Sequence, residues 1–294
     1  MTDTIHGLWV ALATPLDAAG SIDQRTLTRH AQWVLDQGCD GIVLFGTTGE
    51  GPSFTATERL HAAESLLGVG IDATRIGLAT GYPAIGDTVA LTSDALGLEL
   101  RHALLLPPYF YREVSAQGIE DAFAAVLDGV ADSRLRATLY HIPQVSGVAV
   151  PPEVVARLRA RYGQVLAGVK DSSGDFAHFQ AFRAAAPEVA VAIGNEADIG
   201  RARAQGGVGT ICGLGNLVPR MVRAMFTHPD AAGPMHAACA AMVGPFVPAL
   251  KAAMAALTDE PGWARVRPPL RQAEDVTGHR IAATLRGLMV AAAA

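Results

Sequence analysis

The strongest constraint on the fold is an eightfold alternation of short apolar runs with helix-length amphipathic stretches between residues 7 and 228. Apolar runs of roughly four to eight residues are typical of buried strands, and apolar residues that recur every three to four positions are typical of helices. The predicted strands are 7–14, 41–45, 75–80, 103–106, 137–142, 166–170, 189–193 and 208–211. The predicted helices lie near 23–38, 55–69, 86–99, 116–131, 152–162, 175–186, 197–205 and 216–228.

Eight strand–helix pairs in succession predict an α/β fold in which a parallel sheet closes on itself, the (β/α)8 or TIM barrel. Its strands are buried on both faces, which explains why the runs are continuously apolar. The rival architecture is an open doubly wound sheet, but no GxGxxG turn follows the first strand. We therefore expect a barrel over residues 1–230. The Ala-rich residues 231–294 are expected to form a C-terminal helical extension packed on the barrel, within a single domain.

The composition favours a cytoplasmic metabolic enzyme. Half of the 294 residues are hydrophobic, the formal net charge is −5, and no basic tract suggests a nucleic-acid partner. The N-terminus lacks a signal-peptide pattern. No apolar run reaches the roughly 18 uninterrupted residues of a membrane span; the nearest, 237–257, is broken by prolines and a lysine. Cys39, Cys212 and Cys239 are odd in number and widely spaced, which indicates a reducing compartment.

The sixth predicted strand ends in Ala-Gly-Val-Lys, which places Lys170 at the mouth of the barrel, where such enzymes carry their chemistry. Of 23 basic residues, only Lys170 and Lys251 are lysines. A chain that otherwise uses Arg for positive charge indicates that an amine is needed here, because a desolvated amine can attack a carbonyl and a guanidinium cannot. The alternative is a salt-bridged lysine at a strand end. No metal-ligand, P-loop or serine-hydrolase motif occurs, so we expect neither a metal ion nor another cofactor.

Two further segments follow strands and carry polar groups. Residues 46–51, Gly-Thr-Thr-Gly-Glu-Gly, can turn backbone N–H groups and threonine hydroxyls toward a carboxylate, or can simply close the strand. Strand five ends in Tyr140-His141-Ile142-Pro143. If Tyr140 faces the barrel axis it lies one strand from Lys170 and can relay protons, whereas His141 faces the surrounding helices as a packed residue. After strand four, three consecutive aromatic residues, 109–111, predict an interface or a binding-site wall.

Together these motifs resemble the dihydrodipicolinate synthase / N-acetylneuraminate lyase family. The likeness rests on GTTGEG after strand two, Tyr-x-Ile-Pro after strand five and GVKDSSGD after strand six. It extends to Gly194-Asn195 after strand seven and to residues 206–210, Gly-Gly-Val-Gly-Thr, at strand eight. The resemblance implies a class I aldolase that forms a Schiff base with pyruvate or another 2-keto acid. It also implies a cytoplasmic homotetramer built as a dimer of dimers.

The resemblance further implies roles for individual residues. Lys170 would form the imine, Tyr140 would carry protons, and Thr47 would hydrogen-bond Tyr140. Thr48 and its neighbouring N–H groups, including that of Gly49, would hold the keto-acid carboxylate. Contacts to substrate are also expected from Gly194, through its carbonyl near the imine carbon, and from Thr210, Val145 and Phe110.

The chain departs from the family pattern at three places. Val145 stands where members that make dihydrodipicolinate carry an arginine for the carboxylate of the aldehyde substrate, and an apolar side chain cannot replace that clamp. Sialic acid lyases carry an acidic pair after the strand-seven glycine, whereas Asn195-Glu196 here supplies one acid. Phe110 stands where members insert a tyrosine into the neighbouring subunit's proton relay.

The neutral Val145, together with the retained Lys170 and Tyr140, favours a lyase that releases pyruvate from a 4-hydroxy-2-keto acid, for example a 2-keto-3-deoxy sugar acid. The alternatives are a 4-hydroxy-tetrahydrodipicolinate (dihydrodipicolinate) synthase, or a dehydratase of keto-deoxy sugar acids. Outside the enzymes, an inactive barrel that senses a keto acid by binding it is a third possibility.

Overall fold

The computed structural model describes residues 4–291 and confirms the predicted (β/α)8 barrel. Eight strands form a closed barrel in chain order, with helices between them. Residues 1–3, with which the predicted barrel begins, and residues 292–294, with which the predicted extension ends, lie outside the described residues. The strands are β1 (Gly7–Ala11), β2 (Gly41–Leu44), β3 (Ile76–Ala79), β4 (His102–Leu105), β5 (Arg136–His141), β6 (Leu166–Asp171), β7 (Ala190–Ile193) and β8 (Gly209–Cys212).

The helices follow the predicted pattern, with differences at their ends. They are α1 (Gln24–Asp36), α2 (Ala56–Gly68), α3 (Ile85–Gly97), α4 (Ala116–Val130), α5 (Pro143–Ser146), α6 (Pro152–Tyr162), α7 (Phe176–Ala185), α8 (Ile199–Ala204), α9 (Pro219–Ala224), α10 (Ala232–Ala241), α11 (Phe246–Thr258) and α12 (Asp275–Ala291). The short α5 was not predicted. The prediction 216–228 is wrong at both ends, because α9 begins at Pro219, whose ring suits a first helical turn, and ends at Ala224.

Strand β1 ends at Ala11, three residues before its predicted end. Leu12, Ala13 and Thr14 remain buried. The N–H of Leu12 still donates to the Val43 carbonyl of β2 (3.0 Å), but the next two residues form hydrogen bonds outside the sheet. The N–H of Ala13 donates to Asn216 Oδ1 (3.0 Å), and the hydroxyl of Thr14 donates to the Gly49 carbonyl (2.8 Å). Apolar character continues past the strand because these residues pack in a buried loop, so composition alone does not mark where the strand stops.

The described chain divides into two compact units. The first combines Asp72–Ile211 with the described residues up to Gly7, and its strands β3 to β8 pair consecutively in parallel. The second combines Leu8–Ile71 with the residues from Cys212 onward. In the second unit β1 pairs in parallel with β2, and α11 packs against α12. Helices α10 to α12 form the expected C-terminal extension; its membership of a single domain stays a prediction.

Between residues 4 and 291, no helix alone is both long and apolar enough to cross a membrane. Helices α10 and α11, which contain the longest apolar run of the sequence, pass by length and composition only when taken together. They are bent by 104° at the break between them.

Candidate active site

Lys170 and Tyr140 lie side by side on neighbouring strands of the first unit. The parallel register of β5 and β6 pairs the two residues directly. Lys170 is 3% exposed and Tyr140 is 2% exposed. The Lys170 Nζ atom lies 4.1 Å from the centroid of the Tyr140 ring. An amine and a phenol this close can act on the same small substrate.

The amine of Lys170 lacks the partner that usually accompanies a buried lysine. Among residues 4–291 it has neither a hydrogen bond nor a carboxylate within ion-pair distance. The next residue, Asp171, projects to the other face of the strand, where its carboxylate accepts from the N–H of Ser173 (3.0 Å). Burial raises the pKa of Asp171. The Nζ atom of Lys170 is not among the fully enclosed unpaired atoms of the described residues, so it keeps accessible surface, and an accessible amine without a partner suits covalent chemistry with a carbonyl substrate.

His141 packs on the helix side of β5, as predicted. Its Nδ1 atom accepts from the N–H of Val150 (3.0 Å). The ring packs against two residues of α7, with centroid distances of 4.8 Å to His178 and 5.3 Å to Phe182. Burial, and secondarily the charge of His178, lowers the pKa of His141 to about 4. The ring is therefore neutral near pH 7 and serves packing.

Gly194 lies closely against Ser172 and Asp171. Its N–H donates to the Asp171 carbonyl (2.7 Å), and a Cβ atom there would lie 1.9 Å from Ser172 Oγ. Thr210, on β8, is fully buried and donates its hydroxyl to the carbonyl of Ile193 (2.7 Å), the residue before Gly194. Thr210 thus supports the backbone that leads into Gly194. Direct contact of either residue with a substrate stays a prediction.

The GTTGEG loop, residues 46–51, lies in the second unit and adopts a strained, tightly enclosed conformation. Glu50 is left-handed (φ 56°) without being glycine. A Cβ atom on Gly49 would lie 2.7 Å from the Leu12 carbonyl oxygen, and one on Gly51 would lie 1.9 Å from the Phe45 carbonyl oxygen. The glycines of the loop are therefore needed for close backbone approach.

The donors at the centre of this loop have no hydrogen-bond partner among residues 4–291. Thr48 is buried, yet neither its hydroxyl nor its N–H has a hydrogen-bond partner among residues 4–291, and the same holds for the N–H of Gly49. Buried polar groups are normally paired, and unused donors in a loop suit an anionic ligand. Thr47 is half-buried in the same loop; its hydrogen bond to Tyr140 stays a prediction.

Sequence reasoning missed the buried ion pair that holds this loop. Lys251, on α11, has no exposed side-chain surface and donates to Glu50 Oε1 (2.5 Å) and to the Thr14 carbonyl (2.8 Å). Glu50 Oε2 accepts from the N–H of Arg267 (2.9 Å). The only signal available was that Lys251 is the second lysine in an arginine-rich chain.

The predicted substrate contacts Val145 and Phe110 are both exposed, at 57% and 80% respectively. Phe110 contacts the ring of Tyr111 edge to face, with centroids 5.5 Å apart. Val145 lies on α5, two residues before Gly147. The guanidinium of Arg112 packs closely on Gly147: a Cβ atom at that glycine would lie 1.8 Å from Arg112 Nη1. A cation is therefore present beside the segment that contains Val145.

In the described part of the chain, no group of three or more His, Cys, Asp or Glu residues is arranged to hold a metal ion.

A closed (β/α)8 barrel with a buried amine at the end of its sixth strand has the architecture of a class I aldolase-type lyase. Comparison with known proteins gives the family. The profile of the Dihydrodipicolinate synthetase family matches residues 4–283. The chain belongs to this family, and it is an enzyme of the class I aldolase-type lyases that the family comprises.

Three relatives illustrate the likeness. An uncharacterized DapA-like lyase of Chloroflexus aurantiacus is 34% identical over 275 residues, which are 90% of this chain and 91% of that protein. The crystal structure of dihydrodipicolinate synthase from Agrobacterium tumefaciens matches with a TM-score of 0.91 and 33% identity, covering 97% of this chain and 99% of that one. A 4-hydroxy-tetrahydrodipicolinate synthase of Coxiella burnetii is 29% identical over 215 residues, 73% of this chain and 72% of that protein.

Proposed function

We propose that this lyase cleaves a 4-hydroxy-2-keto acid, such as a 2-keto-3-deoxy sugar acid, into pyruvate and an aldehyde. The reaction would run through an imine on Lys170. The observation that carries the proposal is the buried Lys170 amine, which lies 4.1 Å from the Tyr140 ring centroid and has no counter-ion among residues 4–291. Family membership sets the class of reaction, and the substrate is the proposed part.

The chemistry assigns one task to each of these two side chains. The Lys170 amine adds to the C2 carbonyl, and loss of water leaves a protonated imine. The Tyr140 phenol gives its proton to the hydroxyl that leaves as water in this step. Its oxygen then takes the proton of the C4 hydroxyl while the C3–C4 electron pair flows into the imine, so the aldehyde departs and an enamine remains. The phenol then returns its proton to C3, and water hydrolyses the imine to release pyruvate and the amine.

The carboxylate of the substrate would be held by the GTTGEG loop. The hydroxyl and N–H of Thr48 and the N–H of Gly49 are donors without a protein partner among the described residues. Three such donors on one loop suit one carboxylate. In this scheme Thr47 orients Tyr140, and the Gly194 carbonyl lies near the imine carbon, as the family resemblance implies.

Val145 supports cleavage of a neutral polyol chain over condensation with an acidic aldehyde. Its exposed side chain is apolar and offers no donor for a second carboxylate. Hydroxyl groups of a sugar-derived aldehyde do not need that cation.

The experiment is a pyruvate-release screen across 4-hydroxy-2-keto acids of different length and configuration, with Lys170→Ala as the control. We expect one or more neutral-tailed substrates to release pyruvate in a Lys170-dependent way. Release that persists in Lys170→Ala, or no release from any substrate, would contradict the proposal.

The second candidate is the activity for which the Coxiella burnetii relative is named, 4-hydroxy-tetrahydrodipicolinate synthase. For this chain it would mean condensation of pyruvate with an aldehyde instead of release of pyruvate. Arg112 favours it, because its guanidinium lies against Gly147 and can serve as a carboxylate partner. Assays with aspartate semialdehyde test this candidate, and assays with deoxy-aldarates test the dehydratase. A protein that binds pyruvate covalently but turns over no substrate would instead be a keto-acid sensor.

The proposed setting is a cytoplasmic homotetramer that acts on a small-molecule 2-keto acid without a cofactor. The neighbouring exposed rings of Phe110 and Tyr111 favour a subunit interface. Sedimentation at several protein concentrations tests the assembly, and a monomer that retains full turnover would contradict it.

A further inference from the structure

The ion pair of Glu50 and Lys251 belongs to a closed ring of contacts around the GTTGEG loop. Lys251 Nζ donates to Glu50 Oε1 (2.5 Å) and to the Thr14 carbonyl (2.8 Å). The hydroxyl of Thr14 donates to the carbonyl of Gly49 (2.8 Å), which is the residue before Glu50. The ring therefore runs from Lys251 through Thr14 and Gly49 to Glu50 and back, and it encloses the backbone next to Thr48.

The loop would not take this shape on local grounds alone. Glu50 is left-handed (φ 56°), a conformation that is unfavourable for residues other than glycine. Its backbone N–H donates to the Thr47 carbonyl (3.1 Å), and the N–H of Gly51 donates to the Gly46 carbonyl (3.1 Å). The loop thus folds back on itself, and the buried carboxylate of Glu50 ties that fold to α11.

Both oxygens of the Glu50 carboxylate accept hydrogen bonds from the C-terminal extension. Oε1 accepts from Lys251 and Oε2 accepts from the N–H of Arg267 (2.9 Å), so neither points to a reacting centre. Arg267 also donates through Nη1 to the carbonyl of Ser53 (2.9 Å), which lies two residues beyond the loop. Glu50 therefore connects the loop to two separate segments of the C-terminal extension.

We propose that Glu50, through its pair with Lys251, is a positioning residue that holds the donors of Thr48 and Gly49 in the geometry that binds the keto-acid carboxylate. This inference rests on the proposed function, because it assigns the loop to the carboxylate of the imine-forming substrate. It gives the C-terminal extension a task in substrate recognition.

The inference predicts a change in recognition that differs from a loss of stability. Glu50→Gln keeps the size of the side chain but leaves only one acceptor oxygen, so the amide cannot accept from both Lys251 and Arg267. The loop then loses one of its two ties while the core around it stays filled. A misplacement of about 1 Å in such a loop can weaken the chemistry on the order of 100-fold.

The test is borohydride trapping of pyruvate on the full-length protein, measured as labelling against pyruvate concentration. The variants are Glu50→Gln, Lys251→Met and the double variant, with Ile281→Ala in α12 as a destabilised control outside the ring. Methyl pyruvate, which has the carbonyl but no carboxylate, is trapped in parallel.

We expect Glu50→Gln to raise the half-saturating pyruvate concentration by roughly 10-fold to 100-fold. Maximal labelling should persist, and the preference for pyruvate over its methyl ester should shrink by a similar factor. The double variant should recover much of the thermal stability lost in Lys251→Met, because it buries no unpaired charge, yet it should keep the weakened preference. Ile281→Ala should keep the wild-type preference.

A folded Glu50→Gln protein with the wild-type half-saturation and ester preference would overturn the inference. Equal loss of preference in Ile281→Ala would do the same, since the effect would then follow stability alone. Absence of a Lys170 adduct in the wild type is a different result: it overturns the proposed function and, with it, the inference.

Discussion

The chain contains two lysines, both buried, whose surroundings differ. Lys251 is enclosed completely, and its amine donates to the Glu50 carboxylate and to the Thr14 carbonyl. Lys170 has no such partner in the described part of the chain and faces the ring of Tyr140. Burial lowers the pKa of Lys251, and the charge of Glu50 opposes that shift.

The difference shows that burial alone does not identify a reactive lysine here. The amine of Lys251 is fixed between a carboxylate and a carbonyl, so it is not available to attack a carbonyl substrate. The amine of Lys170 has no hydrogen-bond or ion-pair partner among residues 4–291, and Tyr140 lies directly beside it in the strand register. The presence or absence of a hydrogen-bond partner, more than the exposed fraction of the side chain, distinguishes Lys251 from the candidate nucleophile Lys170.

The largest expected effect concerns the site of covalent attachment. Borohydride with pyruvate should trap an adduct on Lys170, and Lys170→Ala should abolish it because no other unpaired buried amine exists between residues 4 and 291. Mass mapping of the labelled peptides is the measurement. An adduct located on Lys251 would show that Lys251, and not Lys170, is the nucleophile.

Tyr140→Phe should lower turnover by roughly 10²–10⁴-fold, the usual contribution of a general acid–base group. Substrate binding and trapping should largely persist, because the ring that packs beside Lys170 is kept. Steady-state kinetics on a substrate from the pyruvate-release screen measures the effect, and Tyr111→Phe, at an exposed ring, is the matched control. A nearly silent Tyr140→Phe with a crippling Tyr109→Phe or Tyr111→Phe would move the proton route to the aromatic loop.

The two lysines should also respond oppositely in stability. Lys251→Met leaves the Glu50 carboxylate buried without its cation, and breaking a buried pair in this way costs about 3–5 kcal/mol of unfolding free energy. Lys170→Met removes an amine without an ion-pair partner and should be neutral or stabilising. Urea denaturation of the two variants measures the contrast. Equal losses would show that Lys170 also supports the fold.

The parts that could be predicted from sequence are those written in local patterns. The barrel followed from repeated apolar runs, and the closeness of Lys170 and Tyr140 followed from their places at the ends of successive parallel strands. The Glu50–Lys251 pair could not be predicted, because it joins residues 201 positions apart and neither end has a local pattern. The end of β1 was missed for a related reason: buried loop residues are as apolar as strand residues.

A smaller effect on activity is expected at Val145. This prediction concerns the cation that would bind a second substrate carboxylate, and not the two lysine amines. Condensation of pyruvate with aspartate semialdehyde should be poor, below the order of 10⁴ M⁻¹s⁻¹ in kcat/KM, because Val145 cannot bind a carboxylate. Val145→Arg should raise it.

The control for that prediction is Arg112→Met. If wild-type condensation is efficient and Arg112→Met removes it, the guanidinium that packs on Gly147 supplies the missing clamp. The interpretation of Val145 as the determinant of specificity would then be wrong.

The smallest effect is expected at Phe110. Its ring is 80% exposed and contacts the ring of Tyr111 edge to face. In the single chain, a hydroxyl added by Phe110→Tyr would therefore face solvent, and we expect the free energy of unfolding to change by no more than about 0.5 kcal/mol. Turnover should stay unchanged, or rise modestly if the loop enters the site of a neighbouring subunit, because a phenol there would add a proton donor beside Tyr140. The measurement is the turnover of Phe110→Tyr and of the wild type, each at protein concentrations above and below that at which the subunits associate. A gain that disappears on dissociation would assign the new hydroxyl to the neighbour's site, whereas a marked loss at every concentration would show that the apolar ring itself contacts the substrate.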